Sequence, residues 1–86
     1  MNEIIWHNRA RKQMKKIPKQ YRGSILNCVD QLETFPKCER LDITELKNHP
    51  YGYRMRLGRY RVIFNYAKVI KIIKIQEVKK RDERTY

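Results

Sequence analysis

The chain has 86 residues, of which 41% are hydrophobic, and its 21 Lys and Arg against 9 Asp and Glu give a formal net charge of +12. The length supports a single domain spanning residues 1–86, and the hydrophobic content is too high for a disordered tail. A charge this positive favours binding to a polyanion such as nucleic acid, with a solubility charge or an acidic protein partner as the alternatives.

The positive charge is concentrated in two segments that contain no acidic residue, 4–29 and 46–76. The acidic residues lie mostly between these segments and again near the C-terminus. Segregation of this kind produces a directed electric field, which solubility alone does not require. The basic residues are Arg9, Arg11, Lys12, Lys15, Lys16, Lys19 and Arg22 in the first segment, and Lys47, Arg54, Arg56, Arg59, Arg61, Lys68, Lys71 and Lys74 in the second.

The cysteines and histidines do not have the spacing of a metal site. Cys28 and Cys38 form no CxxC pair, and both lie far in sequence from His7 and His49, so a zinc site is not expected. The N-terminus has no signal-peptide pattern, and no apolar stretch has the length of a membrane span. We therefore expect a cytoplasmic protein with no membrane partner.

The first elements predicted are a strand and two helices. Glu3–Trp6 is a short apolar run typical of a strand, and Asn8 is a suitable N-cap for a helix over 9–16. Pro18 ends that helix and can open a second one. The second helix has an apolar face formed at helical spacing by Tyr21, Ile25, Cys28, Val29 and Leu32.

The second half of the chain is predicted to be rich in strands. Segment 37–48 is mixed and polar, and we interpret it as a connector with room for one helical turn. Beyond it, alternation of apolar and basic residues is typical of half-buried strands. The predicted strands are 53–57, 60–66 and 69–78, joined by turns at Gly58-Arg59 and Ala67-Lys68.

Counting outward from the Gly58-Arg59 turn predicts how these strands pair. Arg56 faces Arg61 and Arg54 faces Ile63, so the arginines gather on one face of the sheet. The same count through the second turn pairs Arg61 with Lys74 and puts Lys71 on the apolar side. The predicted apolar pairs are Leu57 with Tyr60, Met55 with Val62, Tyr53 with Phe64, Tyr60 with Ile75, and Val62 with Ile73.

The predicted basic face of Arg54, Arg56 and Arg61 has two interpretations. Like charges opposite one another destabilise a sheet, although screening on a solvated face keeps the cost small. The alternative is a phosphate site, in which a bound anion offsets the repulsion. Arginine favours the phosphate site, because its planar fork binds two phosphate oxygens at once.

The order of these elements and the motif YRMRL-GRYRVIFNY resemble the RelE/ParE toxin superfamily over nearly the whole chain. The most specific part begins at Leu46-Lys-Asn and continues through Gly-Tyr-Arg-Met-Arg-Leu57 to Gly58-Arg-Tyr-Arg-Val-Ile-Phe64. The resemblance implies an α+β fold, β-α-α-β-β-β, with an N-terminal strand and a two-helix hairpin packed on an antiparallel sheet. It also implies a cytoplasmic toxin neutralised by a cognate antitoxin.

RelE-type members cleave messenger RNA in the ribosomal A site, so the resemblance implies an endoribonuclease whose partners are the ribosome and messenger RNA. The 2′-hydroxyl of the substrate attacks the phosphate and leaves a cyclic phosphate, with no metal or other cofactor. ParE-type members instead inhibit DNA gyrase and lack the catalytic set. A plain basic RNA-binding module is the third possibility.

The resemblance also implies roles for individual residues. Arg54 and Arg56 fall on the paired basic residues of the family, and Arg61 falls on the arginine that stabilises the transition-state phosphate. Arg81 falls on the general acid, and Tyr86 falls on the tyrosine that stacks on a base. The charge of the chain itself indicates further RNA contacts, unless these residues form only a solvated face. The further RNA-binding residues expected are Arg9, Arg11, Lys12, Lys15, Lys16, Lys19, Lys74 and Lys80.

Two assignments remain open. Alignment on Tyr86 places Lys80, rather than Arg81, in the position of the general acid. The general base is also unassigned, because the pKa of a free guanidinium lies far above neutrality and arginine is therefore poor at taking a proton near neutral pH. The candidates for the base are Arg54, Glu45 and His49.

Overall fold

The computed structural model describes residues 1–80, which form two helices and five strands. Arg81 and Tyr86, two of the predicted catalytic residues, lie outside the described residues. In chain order the elements are β1 (Glu3–Trp6), α1 (Asn8–Lys16), α2 (Lys19–Asp30), a 3₁₀ turn (Gln31–Thr34), β2 (Asp42–Glu45), β3 (Tyr53–Leu57), β4 (Tyr60–Ala67) and β5 (Ile72–Lys80).

The strands form one sheet in the order β1-β5-β4-β3-β2. β1 runs parallel to β5, and all other neighbours are antiparallel. The predicted α+β class, with an N-terminal strand and a helical hairpin, is confirmed, but the sheet is mixed rather than purely antiparallel. Most of the chain separates β1 from β5, so no tight turn imposes an antiparallel direction on this pair.

Segment 37–48, which the sequence predicts to be a connector, contains the edge strand β2. It pairs with β3, and Ile43 lies opposite Met55. Ile43 also packs against the hydrophobic core. The four residues of β2 include one apolar side chain, so their alternation is too weak to predict a strand from the sequence. The segment is a strand because it pairs with β3.

One face of the sheet packs against both helices, and the core lies between these two layers. The predicted apolar face of α2 is confirmed, because its residues are either buried or packed against the buried cluster. Neither helix of the described residues is long and apolar enough to cross a membrane. The most deeply buried residues are Ala10, Ile25, Val29 and Leu32 from the helical layer, and Met55, Val62, Phe64, Ile73, Ile75 and Val78 from the sheet.

The N-cap of α1 is His7 rather than the predicted Asn8. His7 Nδ1 accepts a hydrogen bond from the backbone N–H of Arg9 at 3.0 Å. An unprotonated imidazole nitrogen can replace the usual side-chain oxygen, because both are acceptors placed just before the first free N–H groups of the helix. The helix therefore starts one residue earlier than the sequence predicts.

The predicted register between β3 and β4 is confirmed at all five pairs, from Tyr53 opposite Phe64 to Leu57 opposite Tyr60. The turn between these strands is tight, and Gly58 has a φ of 53°. Because glycine has no Cβ, it adopts this left-handed conformation at low cost. A two-residue turn leaves one way of pairing the flanking strands, and alternation then assigns each residue to a face.

The predicted register between β4 and β5 is wrong. The turn spans 68–71, with Lys71 at a φ of 55°, and β5 begins at Ile72. The pairing register shifts once more between Ile63 and Phe64. Ile63 pairs with Glu77 and Phe64 pairs with Ile75, so Gln76 is the extra residue of a β-bulge in β5. Arg61 therefore pairs with Lys79 instead of Lys74.

The physical reason for this error lies in the turn. Two-residue hairpin turns need residues that tolerate a positive φ, and Ala67-Lys68 supplies none. Val69 and Ile70, which the apolar pattern places in the strand, are instead 94% and 66% exposed within the turn. Lys71 lies in this turn too, rather than on the apolar side of the sheet.

Candidate functional site

The sheet face opposite the helices carries the arginines that the sequence places together. Side chains alternate between the faces of a strand, so every second residue points to this side. Two rows of residues cross four strands here, and we call these eight residues the outer face. The first row is Asp42, Arg56, Arg61 and Lys79, and the second row is Thr44, Arg54, Ile63 and Glu77.

The first row contains three cations on neighbouring strands, Arg56, Arg61 and Lys79. Arg56 is exposed, and the other two are half-buried. Asp42 ends the row on the edge strand, opposite Arg56. Like charges directly opposite one another destabilise a sheet. A bound anion would offset this repulsion, so the row is suited to phosphate.

The second row is partly buried. Ile63 is 0% exposed, although it lies outside the core between the sheet and the helices. Arg54 beside it is half-buried, and its Nε has no hydrogen-bond partner among residues 1–80. A buried donor without an acceptor is costly. An acceptor from a ligand would satisfy it.

Arg9 connects three elements at the β5 side of the outer face. Its Nη2 donates to Tyr51 Oη at 2.8 Å, and its Nε donates to the backbone oxygen of Gln76 at 3.3 Å. Its guanidinium carbon lies 5.7 Å from the centroid of the Tyr51 ring. Its Nε also lies 3.9 Å from Oε1 of Glu77. Arg9 therefore holds α1 against β5 and against the loop that precedes β3.

The loop 46–52 lies beside the outer face. The backbone N–H of Gly52 donates to Oδ1 of Asn65 at 2.7 Å, and Asn65 is on the outward side of β4. The loop is closed by a hydrogen bond of 2.8 Å from Leu46 N to Gly52 O. Within it, the rings of His49 and Tyr51 are 5.6 Å apart. Tyr51 contacts Arg9, and His49 lies beside Tyr51.

Two of the candidate bases are poorly placed for proton transfer on the outer face. His49 Nδ1 accepts a hydrogen bond from the backbone N–H of Tyr51 at 3.0 Å, which uses the one acceptor nitrogen of the neutral ring. Glu45 lies opposite Tyr53, on the side of the sheet that packs on the helices. Burial, followed by the charge and hydrogen bond of Glu45, raises the pKa of Tyr53 above its ordinary value.

The basic residues of the helical hairpin divide into two groups. Arg9 and Arg22 are engaged within the protein, since Arg22 donates from Nε to Ile17 O at 2.8 Å and from Nη2 to Lys15 O at 3.0 Å. These bonds satisfy carbonyl groups at the end of α1. The predicted RNA-binding residues of the hairpin that remain exposed are Arg11, Lys12, Lys15, Lys16 and Lys19.

The two predicted RNA-binding lysines of β5 lie apart from each other, and both are exposed. Lys74 pairs with Asn65, so it is on the outward side of the sheet but away from the first row. Lys80 pairs with Tyr60 and lines a cleft with Lys16, at the end of α1. The structure thus brings Arg54, Arg56 and Arg61 together and leaves these lysines at the periphery.

Sequence reasoning missed three residues that contact Arg9: Tyr51, Gln76 and Glu77. Gln76 and Glu77 are 8% and 6% exposed. The only signal in the sequence is that two polar residues interrupt the apolar pattern of the last strand. Their burial depends on the bulge at Gln76 and on Arg9 from α1, neither of which can be deduced from local periodicity.

Comparison with protein families identifies the class of this fold. The family described as "ParE toxin of type II toxin-antitoxin system, parDE" matches residues 4–84. The chain therefore belongs to the RelE/ParE superfamily of toxins from type II toxin–antitoxin systems, as its sequence pattern predicts. No curated protein sequence matches it significantly.

Solved structures of RelE-type complexes have the same fold. The RelE–RelB complex from Pyrococcus horikoshii OT3 shares 31% identity, covers 96% of this chain and 98% of that chain, and has a TM-score of 0.80. The RelBE2 complex from Mycobacterium tuberculosis shares 18% identity with coverages of 93% and 98% and a TM-score of 0.80. The E. coli RelBE complex shares 18% identity with coverages of 96% and 100% and a TM-score of 0.77.

Proposed function

We propose that this toxin is a ribosome-dependent endoribonuclease that cleaves messenger RNA in the A site and so inhibits translation. The observation that supports it most is the outer face, where Arg56, Arg61 and Lys79 are neighbours and Arg54 has a buried Nε without a partner among residues 1–80. A surface that only needs to be solvated has no reason to bury an unsatisfied arginine donor.

The proposed reaction is a metal-independent transesterification by the 2′-hydroxyl of the substrate. Arg61 stabilises the charge on the phosphate in the transition state, and Arg54 and Arg56 bind the flanking phosphate oxygens. Guanidinium groups held by a sheet suit this role, because preorganised donors need little rearrangement as charge develops. Arg81 protonates the leaving oxygen, because Lys80 pairs with Tyr60 on the side of the sheet that packs on the helices. Tyr86 stacks on a base to hold it in line.

The same toxin is proposed to have a cognate antitoxin. The P. horikoshii and M. tuberculosis relatives are RelE–RelB and RelBE2 toxin–antitoxin complexes. A net charge of +12 favours an acidic partner segment that folds on binding to the toxin. We propose that toxin, antitoxin and ribosome meet in the cytoplasm, where translation takes place.

The name of the matching family favours a second candidate, inhibition of DNA gyrase without catalysis. This candidate needs no phosphate-binding set on the outer face. It predicts that the toxin inhibits supercoiling by purified gyrase and leaves messages intact. A plain RNA-binding module predicts salt-sensitive binding to RNA with no cleavage.

The test adds the purified toxin to a ribosome complex carrying a labelled message, beside the same message without ribosomes. Wild-type protein is expected to cut in the A site only when the ribosome is present. Arg61→Ala is expected to lower the cleavage rate by about 10²–10³-fold, the usual effect of removing one stabilising donor. Arg59→Ala is the matched control, because Arg59 is an exposed arginine in the nearby turn.

Either of two results would reject the ribonuclease proposal. One is an intact message with folded wild-type toxin, which would shift the assignment to gyrase. The other is cleavage by Arg61→Ala at the rate of Arg59→Ala, which would show that the first row of the outer face does not stabilise the reacting phosphate.

A further inference from the structure

We propose that Glu77 is the general base that activates the 2′-hydroxyl, a role that rests on the proposed ribonuclease function. The arginines are unsuited to this role, because the pKa of a free guanidinium lies far above neutrality and the group stays protonated near neutral pH. His49 uses its acceptor nitrogen within its own loop, and Glu45 lies on the opposite face of the sheet. A carboxylate on the outer face would fill the gap.

Glu77 occupies the β5 end of the second row. It pairs with Ile63, which in turn pairs with Arg54, so the two charged residues flank Ile63. Neighbouring strands are about 4.8 Å apart, which separates the Cα atoms of Glu77 and Arg54 by about 10 Å. Arg61 and Lys79 form the adjacent part of the first row. Glu77 therefore lies on the same face of the sheet as the arginines proposed to bind the phosphate.

The two carboxylate oxygens of Glu77 have different surroundings. Oε1 lies 3.9 Å from Nε of Arg9, at the distance limit of an ion pair. Oε2 is buried and has no hydrogen-bond partner among residues 1–80. The side chain as a whole has 7% of its surface exposed. If the ion pair with Arg9 were the only role of Glu77, its second oxygen would be expected to have a hydrogen-bond partner, as most buried polar atoms do.

Oε2 of Glu77 and Nε of Arg54 have complementary requirements. The carboxylate oxygen needs a donor, and the guanidinium nitrogen needs an acceptor. A ribose with its 3′-phosphate supplies both, because the 2′-hydroxyl donates and a phosphate oxygen accepts. DNA has no 2′-hydroxyl at this position, so the pair is matched to RNA.

The chemical step follows from this arrangement. Oε2 of Glu77 takes the proton as the 2′-oxygen forms a bond to phosphorus, and the bond from phosphorus to the 5′-oxygen breaks. The leaving 5′-oxygen takes a proton from the general acid, Arg81 in the proposed function. The products are a 2′,3′-cyclic phosphate and a 5′-hydroxyl, and Glu77 later returns its proton to water.

Several titratable groups from every neighbouring element face this region. The outer face has a second carboxylate, Asp42, but Asp42 lies on the edge strand opposite Arg56, whereas Glu77 shares the second row with Arg54. Glu77 is therefore the carboxylate better placed to accept the proton. The other titratable groups belong to the elements around Glu77. They are Arg9 from α1, His49 and Tyr51 from the loop 46–52, Arg54 from β3, Arg61 from β4, and Lys79 from β5.

The test is single-turnover cleavage of a ribosome-bound message by wild-type protein, Glu77→Gln and Glu39→Gln. Glutamine keeps the shape and a hydrogen-bond acceptor but cannot take the proton. Glu77→Gln is expected to cut about 10²–10⁴-fold more slowly than wild type, the usual range for general base catalysis, with ribosome binding unchanged. Glu39→Gln is the charge-matched control, because Glu39 is exposed in the loop before β2.

The pH profile separates a base from a structural residue. The wild-type rate is expected to fall towards acidic pH, because a protonated carboxyl group cannot accept the proton, and Glu77→Gln should lack this dependence. Equal rates and parallel pH profiles for wild type and Glu77→Gln would overturn the assignment. Absence of cleavage by the wild type itself would reject the ribonuclease function instead.

A second variant covers the case in which Glu77→Gln does not fold. Glu77→Asp keeps the charge near Arg9 but withdraws the carboxylate by one methylene group. Misplacement of a catalytic group by about 1 Å costs up to about 10²-fold, so Glu77→Asp should cleave at least about tenfold more slowly. A wild-type rate in this variant would also overturn the assignment.

Discussion

Replacement of Arg54 by Met is expected to stabilise the protein while weakening its activity. Nε of Arg54 is buried without a hydrogen-bond partner among residues 1–80. Met keeps an unbranched stem opposite Ile63 and removes the unsatisfied donor. A buried donor without a partner costs about 1–3 kcal/mol, so Arg54→Met should raise the free energy of unfolding by up to that amount.

For a domain of this size, about 1 kcal/mol corresponds to about 4–8 °C in Tm, so a rise of several degrees is expected. The assay is urea denaturation with thermal melting by circular dichroism, in parallel with cleavage on the ribosome. Arg56→Met is the control, since Arg56 lies on the same strand but is exposed. Its stability should change by less than about 0.5 kcal/mol.

A destabilising buried donor at Arg54 is refuted if Arg54→Met is no more stable than wild type, or if Arg56→Met gains as much stability. Equal gains would mean that removal of any positive charge from the outer face is enough. Such a gain would shrink in high salt, whereas relief of a buried donor should persist because screening acts mainly on exposed charges. Binding sites often contain residues that lower the stability of the fold but are needed for function.

Two further predictions concern the sheet. Gly58→Ala should lower the free energy of unfolding by about 1–2 kcal/mol, because Gly58 has a φ of 53° that strains any residue with a Cβ. The added Cβ would touch no neighbouring atom, so the strain lies in the backbone. A urea midpoint equal to that of wild type would contradict this prediction. Burial, followed by Glu45, raises the pKa of Tyr53 above its ordinary value. The neutral phenol of Tyr53 therefore stabilises the fold fully below the ordinary tyrosine pKa of about 10, and this stabilisation is lost as pH rises through the raised value. Urea titrations at increasing alkaline pH should therefore show a steeper loss of stability for wild type than for Tyr53→Phe, and parallel curves would argue against the raised pKa.

Prediction from sequence was accurate where structure depends on neighbours along the chain. The apolar face of α2 and the pairing of β3 with β4 require only helical spacing and a two-residue turn at Gly58. The adjacency of Arg54, Arg56 and Arg61 follows from that pairing. The sequence also shows that the helical hairpin is basic, but it does not show which of these basic residues are engaged within the protein. Arg9 and Arg22 are engaged in internal hydrogen bonds that depend on distant residues.

The sequence by itself determined the superfamily pattern, the helical faces and the arginine cluster, because these depend on periodicity and one tight turn. Only the tertiary structure decided the edge strand β2, the register of β5 and the position of Glu77. β2 exists because β3 supplies its hydrogen bonds, and β5 is set by a four-residue turn and a bulge at Gln76. These features arise from contacts between residues far apart in sequence, and local alternation carries no information about them.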